Sequence, residues 1–267
     1  MQIDVANDIE KSKKLAKHYY KISLDDLKDS DFLYKKGSYS ASLFYLQQAT
    51  EKLIKSCGHQ FGIYPEKNVS HATWKIYCNM LKYFYSLDLQ AQRKIILDSP
   101  ILEYLFKKFK LRQRTFKNLN KFLLDDKNIY NIKKIDFPPD IVKKTLEHNY
   151  FLKVDTLNIL EFNNEDIWYK KILKGLGIAS MYVSAIWQLS YLFPLFSIDI
   201  SIILFQHVEM TRYGIESDEK SPNEIYKQEH VLIKEYDKIY EIINNMQKMF
   251  KGSEYWPRWN YYKLFGH

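Results

Sequence analysis

The stretch SYSASLFYLQQATEKLIKS, residues 38–56, decides the fold because it carries two distinct faces of one helix. Its apolar side chains recur at spacings of three and four residues, the period of an α-helix: Tyr39, Leu43, Leu46, Ala49, Leu53 and, just beyond, Cys57. We therefore expect this stripe to lie in a hydrophobic core. A polar face follows the same period at Gln48, Glu51, Lys52 and Lys55, and we expect solvent or a ligand to contact it.

Further helices are expected on both sides of this stretch. Residues 5–36 have helical apolar spacing and end at Gly37, which favours the left-handed conformation that terminates helices, so a short link predicts an antiparallel hairpin. Residues 101–124 read as one long amphipathic helix. A last continuous helix is expected to begin after the capping sequence Ser221-Pro222-Asn223-Glu224 and to run to Phe250.

Composition favours an all-α protein. The chain has 267 residues with 22 Tyr, 16 Phe and 5 Trp, but only 8 Gly and 7 Pro, too few for the many turns of a β-rich fold. The formal charge of +8 permits attraction to phosphates without locating a site. The densest basic cluster, residues 107–117, is interleaved with aromatic residues, and we interpret it as the solvated face of a helix that packs.

Cysteine usage and hydropathy bear on the compartment. The two cysteines, Cys57 and Cys78, form no Cys-x-x-Cys pair, and the first residues, MQIDVANDIEKSKK, lack an apolar signal region, so we expect a reducing cytoplasm. Residues 175–198 carry no charge and are long enough to span a bilayer. Gln188, Pro194 and the serines within this segment argue against a membrane span.

One run of residues resembles a known family. The sequence DLKDSDFLYKKGSYSASLFYLQQATEKLIK, residues 26–55, is similar to the first helical hairpin of HEPN domains. The sequence Thr211-Arg212-Tyr213-Gly214 resembles the motif that precedes their last helix. The resemblance implies an up-down helical bundle elaborated by additional helices. It divides the chain into a split bundle at 1–79 and 200–252, an added helical region at 80–199, and an aromatic tail at 253–267.

The resemblance also implies a function. HEPN proteins are associated with nucleotides and RNA, often form dimers, and often work beside a small nucleotidyltransferase as a toxin and antitoxin pair. The resemblance places a nucleotide- or RNA-binding site on both parts of the split bundle, at Gln48, Glu51, Lys52, Lys55, Arg212 and Tyr213. We add His71 and His207 to this site because each lies near the end of a predicted helix. Each of these residues also has a purely structural interpretation, as a surface charge or a hydrogen-bonded turn.

The ribonuclease motif of the family is absent. Ribonucleases of this family use an Arg followed by a His after four to six residues, and none of the five arginines has a His at that spacing. His207 precedes Arg212 in the reverse order. We therefore predict a binding protein without catalytic residues. The alternatives are a diverged metal-independent ribonuclease that uses His71 or His207 with Arg212, as the toxin of a toxin–antitoxin or defence system, and a structural interaction module. No cofactor or metal motif occurs in the sequence.

Overall fold

The computed structural model describes residues 2–60, 73–76, 78, 99–111, 115–150, 198–213 and 220–252, with residues 2–9 described as backbone only. Within these ranges the protein is helical and contains no strand. The helices are α1 Gln2–Lys35, α2 Tyr39–Gln60, α3 Pro100–Lys108, α4 Phe116–Leu124, α5 Asp126–Lys133, α6 139–150, α7 198–205, α8 His207–Tyr213, α9 Pro222–Ile225, α10 Val231–Lys234 and α11 Tyr236–Gly252. The predicted all-α class is confirmed.

Gly37 ends α1 and turns the chain into α2. Its φ of 76° lies in the left-handed region that glycine adopts at low cost. The amide of Ser38 donates to the carbonyl of Leu33 at 2.9 Å, and the amide of Gly37 donates to that of Tyr34 at 2.9 Å. These two bonds form a Schellman motif, which satisfies the last carbonyls of α1. The predicted hairpin therefore has a defined local cause.

Buried serines join the two helices of the hairpin. The hydroxyl of Ser23 donates to the carbonyl of Ala49 at 2.8 Å, and that of Ser56 donates to the carbonyl of Ala16 at 2.7 Å. Ser30 Oγ likewise donates to the carbonyl of Ser42 at 2.8 Å. Because serine is small and its hydroxyl finds a backbone acceptor, α1 and α2 approach closely without leaving a buried polar group unpaired.

The C-terminal helix α11 packs against the hairpin. Gln247 Nε2 donates to the carbonyl of Ser23 at 2.8 Å, and Tyr20 Oη donates to the carbonyl of Gln247 at 3.0 Å. Near the other end of α11, Tyr236 Oη and Ser30 Oγ lie 2.7 Å apart, and the Tyr236 ring stacks on Tyr34. Residues separated by more than 200 positions are thus held together by specific polar contacts.

The remaining described helices join the same hydrophobic core. Trp74 is fully buried, its indole N–H donates to the carbonyl of Leu123 in α4 at 3.0 Å, and its ring meets Phe205 of α7 edge to face. Buried apolar residues of α2, α3, α4, α6, α7 and α11 belong to one continuous cluster. The division into a split bundle and an added region stays a prediction.

The apolar stripe of α2 is confirmed, since Leu43, Leu46, Ala49, Leu53 and Cys57 are all buried. Two expectations about helix length were wrong. The segment 101–124 is interrupted because Lys110 adopts a positive φ of 49°, and Thr115 then caps α4 by accepting from the amide of Asn118. The last helix is also interrupted, since α9 ends at Ile225 and His230 caps α10 through its side chain.

Several predicted features lie outside the described residues. These are His71, the aromatic tail from residue 253 and, apart from Ile198, the apolar segment 175–198. Across the part of the chain that the structure does describe, every helix is too short or too polar to cross a bilayer.

Candidate functional site

Glu51 is the centre of a polar network on α2. Its side chain is only 3% exposed, and its carboxylate lies 2.6 Å from Lys55 Nζ and 3.4 Å from Lys52 Nζ. Gln47 Nε2 donates to the other carboxylate oxygen at 3.2 Å. The expectation that Glu51 lies on the ligand-facing surface was therefore wrong: it is a buried anion that holds two cations.

The two lysines and Gln48 form the outer layer of this network. The side chains of Lys52 and Lys55 are 20% and 14% exposed, so most of each side chain is covered and a smaller part reaches the surface. Lys52 also donates to Gln48 Oε1 at 3.1 Å, and Gln48 Nε2 donates to Gln47 Oε1 at 2.6 Å. A chain of hydrogen bonds thus fixes the positions of both ammonium groups along α2.

Asp26 of α1 borders the network and was missed from the sequence. Burial raises the pKa of its carboxyl to about 6, Lys52 opposes that rise, and the neighbouring acids, Glu51 among them, add to it. The Asp26 carboxyl is therefore mostly ionised at pH 7 and gains its proton as the pH falls through about 6. Its signal in the sequence was the acidic run of residues 25–31, which the hairpin brings against α2.

Arg212 and Tyr213 lie at the end of α8, which packs against α2. The Arg212 guanidinium sits 4.4 Å from the ring centroid of Phe44, one turn before Gln47 and Gln48 on α2. Tyr213 is 70% exposed. Phe44 and Lys52 are eight residues apart, about 12 Å along a helix axis. The structure therefore extends the line of positive charges from Lys52 and Lys55 to Arg212, with an aromatic surface at that end.

His207 lies in the interior and does not join this surface. Gln206 Nε2 donates to its Nε2 at 2.8 Å, so its Nδ1 carries the proton and donates to Tyr226 Oη at 2.6 Å. Burial, and secondarily the nearby His230, lowers the pKa of His207 to about 3. Five residues of a helix rotate the side-chain direction by about 140°, which explains why His207 and Arg212 face different sides of α8.

Three of the predicted site residues are thus brought into one line of cations, with Gln48 and Glu51 supporting them. These three are Lys52, Lys55 and Arg212. Tyr213 lies beside Arg212 on the surface. No cluster of three His, Cys, Asp or Glu side chains suited to a metal ion occurs among the residues that are described. The arrangement is suited to holding an anionic group beside a planar one.

The comparison with family models agrees with the sequence resemblance. The model of the HEPN domain matches residues 16–74, a range that contains most of α1, all of α2 and the buried Trp74. The predicted resemblance to this family is therefore confirmed for the hairpin that carries Glu51, Lys52 and Lys55. Neither the curated proteins nor the solved structures contain a match to this chain.

Proposed function

We propose that this HEPN-like protein binds the phosphates of a nucleotide or RNA along α2 and the end of α8, without catalysing a reaction. The observation that carries the proposal is a pair of lysines held by one buried carboxylate, Lys52 and Lys55 on Glu51, with Arg212 held over Phe44 on the same helix. Glu51 offsets one of the three positive charges, and Asp26 offsets a second when it is ionised. The remaining charge attracts phosphate, and Asp26 tunes it by its protonation.

The network makes the lysines better phosphate ligands than freely moving side chains. A surface lysine loses rotamer entropy when it binds, which weakens the interaction. Lys52 and Lys55 have lost much of that freedom already, because Glu51 and Gln48 hold their ammonium groups. Arg212 is held in a different way, by the face of the Phe44 ring. Such preorganisation raises affinity without adding contacts.

The state of His207 argues against a reaction that uses His207 with Arg212. A general acid or base for RNA cleavage must reach the 2′-hydroxyl group and change its protonation near neutral pH. Both ring nitrogens of His207 are engaged, and its pKa of about 3 keeps it neutral. A ribonuclease reaction that uses His207 with Arg212 is therefore disfavoured.

The double variant Lys52→Ala with Arg212→Ala tests the binding site. We expect weaker binding of ATP, GTP and an unstructured RNA oligonucleotide, with a salt dependence of log K reduced by about 0.7 per lost phosphate contact to single-stranded RNA. A matched control is Lys107→Ala with Lys143→Ala, because both lysines are exposed and lie on other helices. Unchanged affinity and salt dependence in a folded Lys52 and Arg212 variant would remove this site.

The same preparation tests the alternative function. The wild-type protein is incubated with unstructured RNA in EDTA, and His207→Ala and Arg212→Ala are assayed in parallel. We expect no cleavage above background in any sample. Cleavage by the wild type that both variants abolish would show a diverged metal-independent ribonuclease and contradict the proposal.

The HEPN resemblance also supports a biological setting for this binding activity. It suggests a cytoplasmic homodimer that works with a small nucleotidyltransferase in a toxin–antitoxin or defence system. Light scattering of the purified protein measures the dimer, and co-purification from the native cell with a nucleotidyltransferase measures the partnership. A monomer at micromolar concentration would contradict the first of these proposals.

A further inference from the structure

Three aromatic rings from three helical segments meet beside α8. His207 begins α8, Tyr226 follows the last residue of α9, and His230 precedes α10. The ring centroids of His207 and Tyr226 lie 5.6 Å apart, those of Tyr226 and His230 4.9 Å, and those of the two histidines 5.7 Å, all edge to face. We call these residues the three-ring cluster. His207 and Tyr226 are its buried members, and His230 is its partly exposed outer ring.

The hydrogen bonds of the cluster fit histidines that are both neutral. The amide of Leu232 donates to His230 Nδ1 at 3.2 Å, and this bond is the N-cap of α10. His207 Nε2 likewise accepts from Gln206, while its Nδ1 donates to Tyr226 Oη. A histidine that gains a second proton has no acceptor left, so Nδ1 of a charged His230 would turn an N–H toward the N–H of Leu232. The cap and a second proton on His230 therefore exclude each other.

The surroundings of the cluster also oppose a positive charge. Tyr226 supplies no compensating anion, because burial raises the pKa of its hydroxyl. Burial lowers the pKa of His230, and Asp136, between α5 and α6, is the described residue whose charge opposes this shift. Asp136 is exposed, so water screens its charge. A proton on His230 is therefore more favourable when the ring is in water than when it lies in the cluster.

We propose that the three-ring cluster is a proton-sensitive switch, in which His230 and the start of α10 come away from α8 when His230 gains a proton. As the pH falls below about 6.5, the ordinary pKa of histidine, the open form binds a proton that the closed form accepts only at lower pH, so the population shifts toward the open form. The bond between His207 and Tyr226 stays in place. The switch involves no ligand, so it can fail while the proposed function holds, and the reverse.

The switch acts on a helix of the candidate site. α8 carries Arg212 at the end opposite His207. After opening, α8 keeps its bond to Tyr226 and loses the ring contact to His230, and α10 loses its N-cap. α10 is followed after one residue by α11, which packs against the hairpin. Acid therefore loosens the connection between α8 and the C-terminal helix without unfolding the protein.

Hydrogen exchange of backbone amides measures this opening. The observables are the protection factors of Leu232, Ile233 and Lys234, whose amides bond to the side chain or the carbonyl of His230. A protection factor is the intrinsic exchange rate divided by the observed rate at the same pH, so the direct effect of pH on exchange cancels. Amides 46–54 of α2 are the internal reference, because they report unfolding of the core. The measurements are made at pH 7.5 and pH 5.

In the wild type we expect the protection of these three amides to fall at least about threefold from pH 7.5 to pH 5, relative to the α2 amides, and one proton limits the fall to about thirtyfold. His230→Asn keeps a side-chain acceptor for the cap but does not titrate, so its protection should be the same at both pH values. The matched control is His18→Asn, because His18 is an exposed histidine of α1, and it should behave like the wild type.

Asp136→Asn tests the electrostatic part of the switch. The substitution removes the charge that favours a proton on His230 in the closed cluster, so protection at pH 5 should fall further than in the wild type. Asp136 is exposed, and the variant should fold normally. An equal fall in the wild type and His230→Asn would overturn the proposal, because another group would then be titrating. An equal fall in the α2 amides, or a smaller fall in Asp136→Asn than in the wild type, would overturn it as well.

Discussion

Glu51 of α2 and Asp199 of α7 are both buried acids, but their surroundings differ. Glu51 touches two ammonium groups and the amide of Gln47. Asp199 is fully buried and accepts a hydrogen bond from Ser99 Oγ at 2.8 Å, while its Oδ2 has no hydrogen-bond partner among the residues that the structure describes. The Asn149 amide is close enough to favour the charged form, but its atoms do not complete a hydrogen bond.

This difference teaches what each acid is suited to do. Burial raises the pKa of Asp199 to about 7, and among the described residues only hydrogen bonds, with no cation, oppose that rise. A carboxyl of this kind is stable in the interior mainly when it is protonated. Glu51, in contrast, uses its charge to position two partly exposed lysines. Only the second arrangement presents charge to a ligand, which is why the candidate site lies on α2.

The largest effect is expected from Asp199→Asn. Between about pH 4 and pH 7 the unfolded chain has lost this proton and the folded chain retains it, so the free energy of unfolding falls as pH rises. A displacement from 3.8 to about 7 corresponds to about 4 kcal/mol. The unfolding free energy of the Asn variant should not decrease in this way. The variant should therefore be more stable than the wild type at pH 8, by up to about 4 kcal/mol.

Urea unfolding at pH 4, 6 and 8 measures this effect as the difference between variant and wild type. The difference is needed because His207, with a pKa lowered to about 3, makes stability rise with pH over part of the same range. A difference that does not grow from pH 4 to pH 8 would show that Asp199 is not the uncompensated acid described above.

A smaller effect is expected from Glu51→Gln. The substitution keeps the size of the side chain but leaves Lys52 and Lys55 without their carboxylate. Removing one partner of a buried ion pair costs about 3 to 5 kcal/mol, and the partial exposure of both lysines reduces this to about 2 to 3 kcal/mol. The measurement is urea unfolding at pH 7.

The matched control is Glu103→Gln, whose partner Lys107 is exposed, and we expect a change below about 0.5 kcal/mol there. Equal effects of the two substitutions would mean that Glu51 is an ordinary surface acid. In that case its position at the centre of the α2 network would lose its significance for phosphate binding.

The smallest effect is expected from Gln247→Ala, a neutral buried group. The substitution removes the hydrogen bonds to Ser23 and should cost about 1 to 2 kcal/mol. Because no charge is involved, the cost should be the same at pH 5 and pH 8. A cost that depends on pH would mean that polar contacts between α11 and the hairpin are coupled to a titrating group.

The sequence predicted the hairpin, its glycine end and the apolar stripe of α2, because these depend on contacts within a few residues along one helix. It also selected Lys52, Lys55 and Arg212 through the HEPN resemblance. It did not predict the breaks at Lys110 and before His230, where the chain has no glycine or proline to mark them.

Tertiary structure alone decided which polar residues are buried. Helical periodicity placed Glu51 and Lys55 on one face, but the exposure of that face depends on the other helices that pack against α2, among them α1 and α8. The burial of His207 was also decided by the tertiary structure, since His207 lies five residues before Arg212 yet bonds to Tyr226 in the interior. The raised pKa of Asp26 likewise could not be predicted from the sequence, because it depends on burial and on Lys52 of the neighbouring helix. Periodicity is local, whereas desolvation is a property of the whole packed core.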